Sequence, residues 1–92
     1  MLTPVPGGNN RGSVTLYALS TCPWCKKTKR LLQEYNVPYE YTDVDLLTGA
    51  EEEKAIAEIE RLNPMRSFPT CIINGKVIAG FQETKIKEAL GL

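Results

Sequence analysis

The residues of this chain best suited to chemistry are its cysteines. There are three, Cys22, Cys25 and Cys71, and no histidine accompanies them. The absence of histidine excludes catalysis by a nucleophile paired with a histidine base. Three thiols also fall short of the four ligands of a structural zinc site. An odd count does not fit a fully paired secreted scaffold, so the thiols are expected to work in a reducing, cytoplasmic compartment. Two of them form the run Cys22-Pro23-Trp24-Cys25. Thiol exchange needs a thiolate, and the free N–H groups and positive dipole end at a helix N-terminus favour one. Cys22 stands where a helix should begin, because Pro23 suits a first helical position. Lys26, with Lys27 and Lys29, adds positive potential and is expected to stabilise the Cys22 thiolate. Cys25 falls in the first helical turn, close enough to close a small disulfide. The expected roles are attack by Cys22 and resolution by Cys25. Cys71 lies in an apolar strand and reads as a small core residue.

The rest of the chain must hold this pair. Residues 14–19, β-branched and aromatic, predict a buried strand that delivers the chain to Cys22. From Pro23, apolar positions recur with helical period through Trp24, Cys25, Thr28, Leu31, Leu32 and Tyr35, until Asn36-Val37-Pro38 stops the helix. Residues 39–44 predict a second strand. Thr48-Gly49-Ala50-Glu51 has the form of a capping box and opens a helix with the stripe Ala55, Ile56, Ile59 and Leu62. Asn63-Pro64 ends it. Strands at 70–73 and 76–79 flank Asn74-Gly75, a strong hairpin signal. A last helix carries Ile86, Ala89 and Leu90, with Gly91 as its cap. The order β-α-β-α-β-β-α predicts an α/β fold with a four-stranded mixed sheet flanked by three helices. Its first two strands are parallel through a right-handed crossover. Residues 1–12, rich in Pro, Gly and Asn, predict a flexible arm before a single domain at 13–92.

Composition narrows the partners. Eleven basic residues balance eleven acidic ones, so there is no basic excess to hold nucleic acid or a membrane surface. The apolar runs are too short to span a bilayer, and the first residues lack the pattern of a secretory signal.

From Val14 to Leu92 the chain resembles the glutaredoxins, a family with the thioredoxin fold. The resemblance rests on Cys22-Pro23-Trp24-Cys25, on Ser67-Phe68-Pro69-Thr70 and on Ile78-Ala79-Gly80-Phe81. It implies a dithiol thiol-disulfide oxidoreductase, an electron carrier in cell redox homeostasis, that reduces protein disulfides or mixed disulfides. It implies a cis Pro69 facing the cysteine pair, with the Phe68 backbone free to pair with substrate. Pro23, Trp24, Arg66, Gly80 and Phe81 would complete the substrate-binding surface. Many glutathione-using members carry a lysine where this chain has Leu19, and a Gly-Gly-acidic run where it has Ala79-Gly80-Phe81-Gln82. Gly80-Phe81 is similar to the small redoxins that draw electrons from thioredoxin reductase.

The expected molecule is therefore a monomer with no bound cofactor and no metal. It would act on disulfide-containing proteins and be reduced by glutathione, another low-molecular-weight thiol or a thioredoxin reductase. The alternative is an iron–sulfur binding or transfer protein, in which Cys22 from two chains holds a cluster.

Overall fold

The computed structural model describes residues 2–92; Met1 lies outside them. Five strands and three helices follow one another as β1 (Thr3–Val5), β2 (Val14–Ala18), α1 (Pro23–Glu34), β3 (Tyr39–Asp43), α2 (Gly49–Leu62), β4 (Thr70–Ile73), β5 (Lys76–Ala79) and α3 (Glu83–Leu90). A single 3₁₀ turn, Val44–Leu46, links β3 to α2. The sheet order is β1-β3-β2-β4-β5.

The central strand explains the arrangement. In β2, Leu16 and Ala18 are fully buried, and Val14 and Tyr17 nearly so, as expected for a strand covered on both faces. Val14, Leu16 and Ala18 pack with Leu31 and Leu32 of α1 and with Ile86 and Leu90 of α3. Tyr17 faces the other way, against Val44 and against Ala55 and Ile59 of α2. The strand-helix-strand unit makes β2 and β3 parallel, with Ala18 opposite Asp43. In the antiparallel hairpin, Cys71 lies between Leu16 and Ile78. Asn74 and Gly75, with φ of 50° and 84°, adopt the left-handed pair that a two-residue hairpin turn demands. No helix among the described residues is long and apolar enough to cross a membrane.

Two local expectations are corrected. The sheet has five strands, not the four that the sequence pattern suggests. The stretch that reads as a flexible arm contributes the extra one: Thr3–Val5 pairs antiparallel with Tyr39–Tyr41 at the sheet edge. Pro4 and Pro6 hide it, because proline within a strand is tolerated only where a missing N–H costs no ladder bond, as at an edge. Beyond β1 the segment stays attached, with the Asn9 amide N–H donating to the Asn36 carbonyl at 2.9 Å and Ser13 N–H to Asn74 Oδ1 at 2.9 Å. The second correction concerns α2. Thr48 is its N-cap, yet its side chain makes no capping bond. The next residue, Gly49, has φ of 60°, and this left-handed entry replaces the regular approach that a capping box requires.

Candidate active site

Cys22 and Cys25 meet where β2 hands the chain to α1. Cys22 is the N-cap, with extended backbone angles of −86° and 116°. Its carbonyl accepts from Lys26 N–H at 3.1 Å and so begins the helix. Its Sγ accepts from the Cys25 amide N–H at 3.2 Å. An N-cap oxygen normally takes this bond; here the thiol sulfur does, so one of the unpaired donors at the helix end is aimed at the reactive atom. Cys22 is partly exposed, whereas Cys25 and Cys71 are buried, and all three are free thiols. Burial is the main cause that pushes the Cys25 thiol up to about 12, and its hydrogen bond to Cys22 raises it further. Burial alone pushes Cys71 up to about 12. The two neighbouring thiols are thus unequal, one accessible and held by an N–H donor, the other dry and protonated.

The Phe68–Pro69 peptide is cis. Pro69 is fully buried, and its carbonyl accepts from Gly80 N–H at 2.7 Å. That bond ties the start of β4 to the end of β5. Phe68 packs against both core clusters. With Leu19, Val44, Ile56 and Ile59 it lines a groove of ≈ 460 Å³, whose charged lining is Arg66, Asp45 and Glu52. Arg66 is exposed, has φ of 50°, and is ion-paired with Glu60 at 3.1 Å. On the other side, Phe81 stacks on Trp24, and Lys27 Nζ lies 4.5 Å from the centre of the Trp24 ring.

The lysines divide. Lys29 is engaged elsewhere, bonded to Asp43 at 3.1 Å and placed over the Tyr41 ring, so it pins α1 to β3. Lys26 is exposed on α1, next to Cys25 in the chain.

Two residues that matter to the site carry no sequence motif. Asn63 is buried, and its Nδ2 donates to Ser67 O, Ser67 Oγ and Thr70 Oγ1 at 3.3, 3.0 and 3.1 Å. It holds the loop that leads into Phe68–Pro69. As half of Asn63-Pro64 it reads from sequence only as a helix stop. Asp45 accepts from Ser20, two residues before Cys22, across a separation of 25 residues. Only the parallel pairing of β2 with β3 brings them together.

Comparison with known proteins agrees with this geometry. A glutaredoxin family profile matches residues 14–78. The chain belongs to the glutaredoxin family. A glutaredoxin-like 8.6 kDa protein from the rubredoxin operon of Clostridium pasteurianum is 32% identical over 77 residues, covering 84% of this chain and 96% of that protein. The crystal structure of a glutaredoxin from Methanosarcina mazei matches with a TM-score of 0.88 at 52% identity, over 99% of this chain and 88% of that one. The methanoredoxin of Methanosarcina acetivorans matches with a TM-score of 0.87, also at 52% identity, over 92% and 90% of the two chains. This glutaredoxin thus has the fold of its family, and thiol-disulfide redox chemistry is the activity that the family suggests for it.

Proposed function

We propose that this glutaredoxin is a dithiol oxidoreductase that reduces disulfides of protein substrates, as a monomer in the cytoplasm. The observation that carries the proposal is the Cys25 N–H bond to Cys22 Sγ, together with the full burial of the Cys25 thiol.

The chemistry follows from that asymmetry. The Cys22 thiolate attacks one sulfur of a substrate disulfide. A new S–S bond joins Cys22 to the substrate, and the other substrate sulfur leaves as a thiolate and takes a proton from water. The Cys25 thiol must then lose its proton. Burial is the largest cause that opposes this and it persists; in the free reduced protein two smaller causes come from Cys22, namely its thiol as a hydrogen-bonding neighbour and its charge. Both vanish once Cys22 is in the mixed disulfide, so Cys25 becomes a better nucleophile at the moment it is needed. Its thiolate attacks Cys22 Sγ, the second substrate thiolate leaves, and Cys22–Cys25 closes. Two electrons have passed to the substrate. An external thiol or a thioredoxin reductase returns them.

The substrate would lie over the Phe68–Pro69 peptide, between the Leu19–Phe68 groove and the Trp24–Phe81 stack. Pro23 stiffens the turn, Gly80 fixes the Pro69 carbonyl, Lys26 adds positive potential beside the helix start, and Arg66 borders the groove.

The test is a pair of variants followed by mass spectrometry with a disulfide-containing protein substrate. Cys25→Ser should accumulate a mixed disulfide through Cys22, and Cys22→Ser should form none and reduce nothing. Retained dithiol activity in Cys22→Ser would overturn the assignment.

A further inference from the structure

We infer that Asp45 is a positioning residue for Cys22, acting through Ser20. The inference deepens the redox reading above and rests on it.

The loop between β2 and Cys22 is short: Leu19, Ser20 and Thr21. Two fastenings hold it. One is local, Cys22 N–H to the Leu19 carbonyl at 3.2 Å. The other is distant: one carboxylate takes both donors of one residue, Ser20 N–H on Asp45 Oδ1 at 2.8 Å and Ser20 Oγ–H on Asp45 Oδ2. Asp45 belongs to the 3₁₀ turn that follows β3, so the clamp ties the Cys22 loop to the neighbouring parallel strand. A carboxylate that accepts two bonds from one residue fixes that residue in orientation as well as in distance. The bonds to Ser20 hold the Asp45 carboxyl below its ordinary range, so the clamp is ionised at neutral pH. Both its partners come from a segment with no regular structure, and that segment sets the angles at which Cys22 enters α1.

The consequence lies at Cys22 Sγ. Its bond from Cys25 N–H, at 3.2 Å, depends on the N-cap angles of Cys22. A loosened Ser20-Thr21 segment would let Cys22 leave those angles and lose the donor that stabilises its thiolate. The charge on Asp45 acts the other way, because an anion near Cys22 disfavours a second one. Lys29, paired to Asp43, acts on Asp45; Arg66 and Glu52 line the adjoining groove with it; and Lys26 and Lys27 are exposed on α1. The substitutions below leave all of them in place. Two variants separate the effects. Asp45→Asn removes the charge and keeps the shape, since its carbonyl can take Ser20 N–H while its amide donates to Ser20 Oγ. Asp45→Ala removes charge and clamp together.

The experiment is the rate of alkylation of Cys22 against pH, on the reduced full-length protein, with Cys22 alkylation confirmed by mass spectrometry. Asp45→Ala is expected to titrate about half to one pH unit above Asp45→Asn, which has lost the same charge but kept the clamp, and below the midpoint to be alkylated about threefold to tenfold more slowly than Asp45→Asn. Asp45→Asn is expected to leave the midpoint at or below that of the parent. Ser20→Ala, which keeps the charge and the backbone bond and removes only the hydroxyl bond, should raise the midpoint above the parent's by less than the separation of the two Asp45 variants, and serves if Asp45→Ala does not fold. A midpoint in Asp45→Ala no higher than that of Asp45→Asn, or, where Ser20→Ala stands in for it, a midpoint in Ser20→Ala no higher than the parent's, would overturn the positioning role. The mixed-disulfide assay tests the redox reading separately: the Cys25→Ser trap can succeed even if Asp45 proves irrelevant.

Discussion

Trp24 and Phe81 stack with ring centroids 5.8 Å apart and planes inclined by 25°. One ring stands on the first turn of α1, next to Cys25 in the chain. The other stands between β5 and α3, directly after the glycine that bonds the Pro69 carbonyl. The pair joins the two halves of the site across its outer face. Trp24 is nevertheless 53% exposed, so the stack presents an aromatic surface to whatever approaches Cys22.

Phe81→Ala should dissolve that surface. The pair is half-exposed, so the loss of stability should be modest, about 0.5–1 kcal/mol by denaturant unfolding. Trp24 is the sole tryptophan, and its fluorescence should shift to the red as the ring becomes hydrated. Reduction of a protein disulfide should slow by about threefold to tenfold, equivalent to roughly one contact at an interface. A small aliphatic disulfide, which needs no platform, should react at nearly the parent rate. Equal slowing of both substrates would assign the stack to holding Cys22 rather than to recognising a partner.

Alkaline pH should separate the reduced and oxidised proteins. Cys25 and Cys71 are each pushed up from 9.0 to about 12. Below the ordinary thiol range both the folded and the unfolded chain hold these protons, and stability does not depend on them. From about pH 8 upward the unfolded chain increasingly releases them and the folded chain does not. The unfolded state then binds fewer protons, and stability falls as pH rises, by up to about 1.4 kcal/mol per pH unit for each thiol until the folded thiols ionise too. In the Cys22–Cys25 disulfide form only Cys71 contributes. Urea midpoints between about pH 8 and 9, below the ordinary value of 10.0 at which Tyr17 and Tyr39 of the unfolded chain ionise, should therefore fall about twice as steeply for the reduced protein. Cys71→Val should remove one share of the slope from either form. It should cost less than about 1.5 kcal/mol at neutral pH and leave disulfide reduction intact.

The parts of the fold that were legible in the sequence are those written in local chemistry. A β-branched run followed by Pro23 marks the strand-to-helix junction, and Asn74-Gly75 marks the hairpin, because each depends on backbone preferences of one or two residues. What was not legible depends on the closed fold. Thr3–Val5 becomes a strand only because the edge of β3 is available to it. Lys29 looks like a cation for the thiolate until Asp43, 14 residues away in sequence, claims it. Asp45 and Asn63 look like a loop acid and a helix stop, and their partners appear only when β2, β3 and β4 lie side by side. The cis form of Pro69 came from family resemblance, since local sequence leaves most X-Pro bonds trans.

Asn63 tests how far the site depends on such a contact. Its Nδ2 serves acceptors in Ser67 and Thr70, and Thr70 Oγ1 itself donates to Ser67 O at 2.7 Å. Asn63→Asp would turn that donor into a buried carboxylate oxygen facing the Ser67 carbonyl. The expected cost is about 2–3 kcal/mol at neutral pH, partly recovered at acid pH as the new carboxyl takes up a proton and can donate again. Slower reduction of protein disulfides by the folded variant should accompany it, because the loop leads into Phe68–Pro69. A stability equal to the parent's at pH 7 would show that the contact is dispensable.

The choice of reductant turns on the anchors that a small thiol would find. Glutathione presents two carboxylates and an ammonium, and tight recognition wants a partner for each. Leu19 stands where many glutathione-using relatives of this fold carry a cation, and it lines an apolar groove. Arg66 lines the same groove, but it already pairs with Glu60 at 3.1 Å, and Asp45 and Glu52 add negative charge there. At the other end Phe81 is committed to Trp24, and the Gln82 side-chain amide donates to the Ala79 carbonyl at 2.6 Å. Each missing charge-assisted contact costs about 1.5–3 kcal/mol, so two together weaken binding by about two orders of magnitude or more. Reduction of the Cys22–Cys25 disulfide should accordingly be slow with glutathione and its reductase, and faster with thioredoxin reductase and NADPH or with a different small thiol. Leu19→Lys should raise the glutathione rate by about tenfold, as one carboxylate regains a partner. Rapid reduction of the parent by glutathione, with no response to thioredoxin reductase, would place this protein with the ordinary glutathione-dependent members of its family.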